Sequence, residues 1–178
     1  MQRFLKFNPL AKLFNNYVYD SLLPLNLNYL YNMGSILGLA LVIQIITGIF
    51  LAMYFCPNID LAFDSVEYLM REVNYGWLIR YIHANTASLF FFVVFLHIFR
   101  GLLYSSFIGN KQLAWSTGVI IFLLMIITAF LGYSLVMGQM SFWAATVITN
   151  LLSSIPYFGD DLVVYVWGNY GVSNRYIK

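Results

Sequence analysis

The sequence predicts an all-α membrane protein with three transmembrane helices, and three observations carry that prediction. Of the 178 residues, 61% are hydrophobic and only 9% charged, and mean hydropathy is +0.77; a soluble domain carries about 25% charge to keep its surface wetted. Three stretches hold about 20 mostly apolar residues in a row, the length that crosses a bilayer. The segments between them alternate in the sign of their charge. The same composition excludes other classes. A formal charge of +2 is too small to imply a nucleic acid as partner. The single cysteine, Cys56, excludes an internal disulfide, a thiolate zinc site and a cysteine-ligated iron–sulfur cluster.

Residues 1–32 carry Arg3, Lys6 and Lys12 against Asp20, a net +2. The opening MQRFLKFNPLAKLFNNY has bases but no apolar core of the length a cleavable signal needs. The stretch LFNNYVYDSLLPL reads as a short helix lying on the bilayer surface and ended by Pro24. The first span, 33–55, is uncharged and has one strongly polar interruption, Gln44. The 56–76 segment is net −3. The second span, 77–104, has no formal charge between Arg80 and Arg100 but contains both histidines of the chain, His83 and His97. The 100–113 loop is net +2, and the third span, 114–137, is uncharged. A helix is the only economical way for each span to satisfy its backbone in lipid. The positive-inside tendency places the N-terminus and the 100–113 loop on the side of synthesis. It places 56–76 and 138–170 together on the opposite face. In the last segment, 138–178, Gly138, Pro156 and Gly159 interrupt the chain, and the apolar run 162–167 is too short for a fourth span.

One interval recurs on all three spans. His83 and His97 are fourteen residues apart, as are Gly34 and Gly48 on the first span and Gly118 and Gly132 on the third. Fourteen helical residues turn through about 1400°, roughly 40° short of four turns, and rise about 21 Å. Each pair therefore marks one helix face at two depths, one near each leaflet. Histidine is costly in hydrocarbon and usually functional there; glycine lets another group approach a helix closely. A flat macrocycle pressed against glycine and ligated by histidine accounts for all six residues. Arg80 and Arg100 each lie three residues outside a histidine, where a guanidinium can pair with a carboxylate of such a group. Each of these residues also has a plainer use: histidines as hydrogen-bond donors between helices, glycines as packing notches, arginines as snorkelling interfacial cations.

The chain closely resembles the N-terminal part of the mitochondrial cytochrome b family, the haem subunits of ubiquinol–cytochrome c reductase (bc1) complexes. The resemblance covers nearly all of the sequence. It rests on NMGSILGL at 32–39, IQIITGIFLAM at 43–53, RYIHANTASLFF at 80–91, FLHIFRGLLY at 95–104 and GQMSFWAATVITNLLSSIP at 138–156. It implies a four-helix bundle holding two b-type haems one above the other, in a multi-pass protein of the mitochondrial inner membrane whose N-terminal segment faces the matrix. His83 matches an axial ligand of the low-potential haem and His97 one of the high-potential haem. Gly34, Gly48, Gly118 and Gly132 match the glycines against which the porphyrins lie. Gln44 and Arg80 match groups around the low-potential haem, and Arg100, Ser106 and Trp115 groups around the propionates of the other. Phe130, Tyr133, Met140, Trp143, Ala144 and Ile148 match the quinol-oxidation pocket, and Asn32 and Ser35 the quinone-reduction pocket. The implied partners are the Rieske iron–sulfur protein, cytochrome c1 and other bc1 subunits in a homodimeric complex, with ubiquinol and ubiquinone as substrates and lipid around the spans.

Two departures from the family pattern matter. The chain ends in GVSNRYIK, where family members enter the fourth helix of the bundle, which carries the other two axial histidines. The Pro-Glu-Trp-Tyr motif that completes the oxidation pocket is also beyond this end. The expectation is therefore three of four bundle helices, inactive by themselves. The remainder of cytochrome b, from the same gene or a second chain, would supply the missing ligands. Second, the family usually has glycine at Ala144 and tryptophan at Tyr31. Two other readings stay open on the residues alone. One is a three-span structural or assembly subunit without haem. The other is a transporter with His83, His97 and Gln44 as a proton path.

Overall fold

A computed structural model describes residues 9, 12, 15–16, 25, 27–109, 112–168 and 171–172, and the chain divides into two units, Met1–Asn32 and Met33–Lys178. In the first, a 3-10 turn spans Tyr29–Asn32. It is set up by Asn28, whose side-chain oxygen accepts the Leu30 N–H at 3.1 Å while its carbonyl accepts that of Tyr31. The surface helix expected up to Pro24 falls largely outside the described residues.

Among its described residues the second unit is entirely helical in its regular structure. Three of its helices are long and apolar enough to cross a membrane, the only such helices among the described residues. The first, α1, is Met33–Tyr54; Pro57 follows within three residues, and the residue before a proline is driven out of the helical region. Next comes a helix on which the sequence reading was silent: α2, Ala62–Arg71, which buries Ala62 and Leu69. Asp64 in its first turn and Arg71 in its last complement the helix dipole, and Arg71 pairs with Glu67 one turn earlier. Asn58 starts the turn into α2, its side chain accepting the Asp60 N–H at 2.9 Å.

The chain then reverses through Tyr75, which sits in the left-handed region at φ 60°, into α3, Gly76–Leu103. Gly76 is required at this corner, since a Cβ there would run into the Leu69 carbonyl. At 28 residues, α3 extends about 42 Å, well beyond a 30 Å hydrocarbon core. It packs along α1 and against α2. The third spanning helix, α4, is Gln112–Ser134. It stops three residues short of the expected end because the backbone turns left-handed at Met137, φ 50°, and is extended at Gly138.

Beyond Gly138 the chain is more regular than its glycines and proline suggest. Helix α5, Gln139–Asn150, runs into a 3-10 turn, Leu151–Ser154. A last helix, α6, is Gly159–Trp167. Gly168, at φ 66°, closes α6 by donating its N–H to the Val164 and Tyr165 carbonyls, the left-handed glycine stop. Helices α5 and α6 are tied by Trp167, whose indole N–H donates to the Thr149 hydroxyl at 2.8 Å in a buried position. Gly138 lies against the Phe63 ring of α2, so the 56–76 and 138–170 segments meet at one end of the bundle.

Candidate functional site

Along the α1–α3 interface the two intervals of fourteen become two matched contacts. A methyl group placed on Gly48 would stand 3.3 Å from His83 Cε1 and 4.0 Å from its Nδ1. On Gly34 it would stand 3.5 Å from His97 Cε1 and 4.0 Å from Nδ1. Each glycine thus lets an imidazole lie close to the α1 backbone, at two levels of the same interface. The surroundings of the two rings differ. Thr47, buried beside Gly48, donates its hydroxyl to the Ile43 carbonyl at 2.6 Å, and the same oxygen is 2.8 Å from His83 Nδ1. Gln44 donates its amide to the His83 carbonyl at 3.0 Å, which locks α3 to α1 at this level. At the other level, His97 Nδ1 is buried with no hydrogen-bond partner among the described residues.

Between α3 and α4, at the His97 level, lies a cavity of about 640 Å³, within the size range of small-molecule and cofactor pockets. His97, Arg100, Ser106, Trp115 and Gly118 all line it, together with Gly38. Four residues that the family resemblance assigns to one haem, His97, Arg100, Ser106 and Trp115, are therefore brought together with Gly118, one of the four glycines it assigns to the porphyrins. The Trp115 indole is seated on Gly101, where a Cβ would come within 2.6 Å of ring atom Cζ3, and its ring centre is 5.8 Å from that of Phe107. Among the described residues a Cβ on Gly118 would meet no atom within 4 Å, and the same holds for Gly132, fourteen residues along α4 at the other level. Helix α4 touches α3 through the Phe95 and Phe122 rings, 6.1 Å apart.

The His83 level is less enclosed. Arg80 is half-buried and lines a separate hollow of about 440 Å³ with Phe63, Glu67 and Tyr81, which His83 does not line. Gln44 is joined to His83 through the backbone, as above. Phe130 and Tyr133 fall in the last two turns of α4, the helix that packs on α5. Met140, Trp143, Ala144 and Ile148 share one face of α5 by their spacing. That face is open: Met140 is 81% and Trp143 61% exposed, whereas Ser141, Ala145 and Thr149 on the opposite face are buried. Asn32 closes the 3-10 turn and Ser35 lies in the first turn of α1; both are exposed.

Three residues of this arrangement escape the sequence reading. Gly38 had a signal in its spacing of four from Gly34, and Gly101 in following Arg100 directly. Thr47 had none beyond its place next to Gly48, because the partner of its hydroxyl depends on how α1 crosses α3. Among the described residues no three His, Cys, Asp or Glu side chains converge on a point that could hold a bare metal ion. Each histidine is a single protein donor, which suits a metal that brings its other ligands in a macrocycle.

A family model described as Cytochrome b/b6/petB matches residues 18–178. Over 172 residues the chain is 59% identical to cytochrome b of Epidermophyton floccosum, a match covering 97% of this chain and 43% of that protein. Over 160 residues it is 59% identical to cytochrome b of Phytophthora megasperma, covering 90% and 42%. A solved chain described as "Hyperthermophilic respiratory Complex III" superposes with a TM-score of 0.84 at 32% identity, covering 97% of this chain and 47% of that one. The chain thus spans less than half the length of these relatives.

Proposed function

Because the chain belongs to the cytochrome b family, we propose that it carries electrons across a membrane between two b-type haems, as part of the haem subunit of a ubiquinol–cytochrome c reductase. The observation that carries this reading is the 640 Å³ cavity lined by His97, Arg100, Ser106, Trp115 and Gly118. Its wall is almost wholly apolar, it presents one imidazole, and it has a guanidinium and a hydroxyl at one end. That donor set fits a haem: a flat apolar ring, an iron that takes imidazole nitrogen, and two propionates.

When bound, haem supplies a one-electron iron couple whose potential is set by axial ligand, hydrogen bonding and burial. The rest falls to the chain. His97 and His83 each offer one nitrogen ligand, at two levels set by the rise of α3. Gly34 and Gly48 let those imidazoles lie against α1, and Gly118 and Gly132 leave the α4 backbone open to a flat ring. Arg100, with Ser106 and Trp115, would hold the propionates at one level and Arg80 those at the other. A second imidazole for each haem would come from outside these 178 residues, which span less than half the length of the relatives. The outer face of α5, with Phe130 and Tyr133 of α4, forms one wall of a quinol-oxidation pocket, and Asn32 and Ser35 belong to a quinone-reduction pocket. On this reading the haems, when bound, would supply a one-electron path across the membrane for one electron of each quinol, and the Rieske iron–sulfur protein and cytochrome c1 would take the other. The setting is a homodimeric complex of the mitochondrial inner membrane.

The test is a reduced-minus-oxidised spectrum of membranes holding the complex, with His97→Leu and His83→Leu variants beside the parent. Two b-type components are expected in the parent and one in each variant, a different one in each case. A parent without b-type absorption, or a variant retaining both components at unchanged potentials, overturns the assignment.

A further inference from the structure

We propose that Thr47 is a positioning residue for His83: its hydroxyl fixes the imidazole with the proton on Nδ1 and Nε2 bare, and so lowers the potential of the haem at that level relative to the haem at His97. The proposal rests on the haem-binding reading above and deepens it.

The distances assign the direction of the bond. Thr47 has one hydroxyl proton, and its nearest acceptor is the Ile43 carbonyl at 2.6 Å, one helical turn back, ahead of His83 Nδ1 at 2.8 Å and the Gln44 carbonyl at 3.3 Å. A hydroxyl oxygen has lone pairs to spare, so the 2.8 Å contact with His83 Nδ1 is made by the ring donating its N–H. A neutral imidazole carries one proton; with that proton on Nδ1, Nε2 is the nitrogen left to bind a metal. Thr47 is itself held, being buried in α1 next to the glycine that admits the ring, so the acceptor does not swing away.

The other level is a natural control. The two glycine–histidine contacts are nearly alike, 3.3 and 4.0 Å at Gly48 against 3.5 and 4.0 Å at Gly34. Fourteen residues before Thr47, in the same place relative to Gly34, stands Met33. A thioether is a weak acceptor, and His97 Nδ1 has no partner among the described residues. One ring is thus anchored by a hydroxyl from the glycine's neighbour and the other is not. An N–H that a ligating imidazole donates to an acceptor raises the basicity of the ligating nitrogen. A more basic ligand favours ferric over ferrous iron, which lowers the potential. The α1 sequence therefore lowers the potential at one level and not at the other through one pair of residues, Thr47 and Met33, and electrons are more readily released at the His83 level.

The experiment is redox potentiometry of the two b components in membranes holding the assembled complex, with Thr47→Val, Thr47→Ser and Met33→Thr. Thr47→Val should shift the one-electron equilibrium of the His83-level haem toward the reduced form by about fivefold to tenfold, tenfold being about 59 mV for one electron, and leave the other within twofold. Thr47→Ser, which keeps the hydroxyl, should restore the parent value. Met33→Thr should move the His97-level haem the opposite way. Equal shifts in both haems, no shift in either, or failure of serine to restore overturn the proposal. If Thr47→Val does not assemble, Thr47→Ser with Met33→Thr decides alone, an unmoved His97-level haem counting against it. Absence of both b components from the parent would instead overturn the haem reading itself.

Discussion

Helices α3 and α4 both cross the membrane, yet they are packed in opposite ways. Helix α3 buries Gly76, Val93, Val94 and Gly101, and is bonded to α1 through Gln44 and Thr47. Helix α4, more apolar still, buries only Ser134, and among the described residues both of its marked glycines face no atom within 4 Å. The chain's own side chains fill one interface and leave the other to be filled. In lipid there is no hydrophobic force to draw bare helices together. A helix with an open glycine face is therefore held by whatever fits that face. The comparison separates glycines that another side chain covers, Gly34, Gly48 and Gly101, from glycines left open, Gly118 and Gly132, a distinction that composition does not make.

The largest effect expected from breaking this contrast is at Gly118. Leucine there should leave insertion and the α1–α3 pair intact, because among the described residues no atom lies within 4 Å of a Cβ at this position and the side chain enters the cavity. It should exclude a ring from the cavity. Overpacking a filled site costs about 1–3 kcal/mol, which is about one to two decades in affinity. The His97-level b component should therefore fall by tenfold or more relative to the other. Ile120→Leu, two residues on and not lining the cavity, should leave both components unchanged. Parallel loss of both components in Gly118→Leu would show that the residue supports the whole bundle rather than one pocket.

A smaller effect is expected on the packed side. Gly101 supports the Trp115 indole so closely that a methyl group must displace the ring. Gly101→Ala should lower the stability of the complex by about 1–3 kcal/mol, read as earlier thermal loss of the b absorption, and should alter the spectrum of the His97-level component only. A spectrum changed at the His83 level would mean that Trp115 is not the group that moves.

These contrasts also show what the sequence could convey. The interval of fourteen is legible because helical rise and turn are fixed, so two histidines and four glycines can be assigned to faces and depths without coordinates. The three spanning helices are legible because lipid allows a long apolar segment no other form. Helix α2 is short and set in an acidic stretch, and its apolar positions Ala62, Val66 and Leu69 were outweighed there by the charges. The end of α4 depends on a left-handed Met137, a conformation that methionine does not advertise. Thr47 and the Gly101–Trp115 contact depend on the crossing of helices, which lies between elements rather than within any one of them.

Helix α5 repeats the contrast on a smaller scale, and Ala144 stands on its border. The inner face, Ser141, Ala145 and Thr149, is buried and returns its hydroxyls to the backbone one turn back or less. The outer face, Met140, Trp143 and Ile148, is apolar and open, the reverse of a helix that turns its polar side to water. Ala144 is half-buried among these outer residues, where the family usually has glycine. If this face is the wall of the proposed quinol-oxidation pocket, a methyl group here is a bump where a ligand would otherwise touch the backbone. A quinol, with a small head and a flexible tail, can shift by a carbon's width; a stiff inhibitor of the strobilurin type cannot. Removing the methyl should therefore leave turnover nearly unchanged and raise sensitivity to strobilurins by at least about tenfold, about 1.4 kcal/mol in binding. Glycine also gives up as much as about 1 kcal/mol of helix propensity, so the variant should be slightly less stable while binding the inhibitor better. That opposite movement separates a pocket contact from a loosened helix, since loosening alone would lower stability and leave the inhibition curve of the membrane complex where it was. Equal inhibition of parent and Ala144→Gly would place this residue off the wall and leave the outer face of α5 to lipid or to another chain.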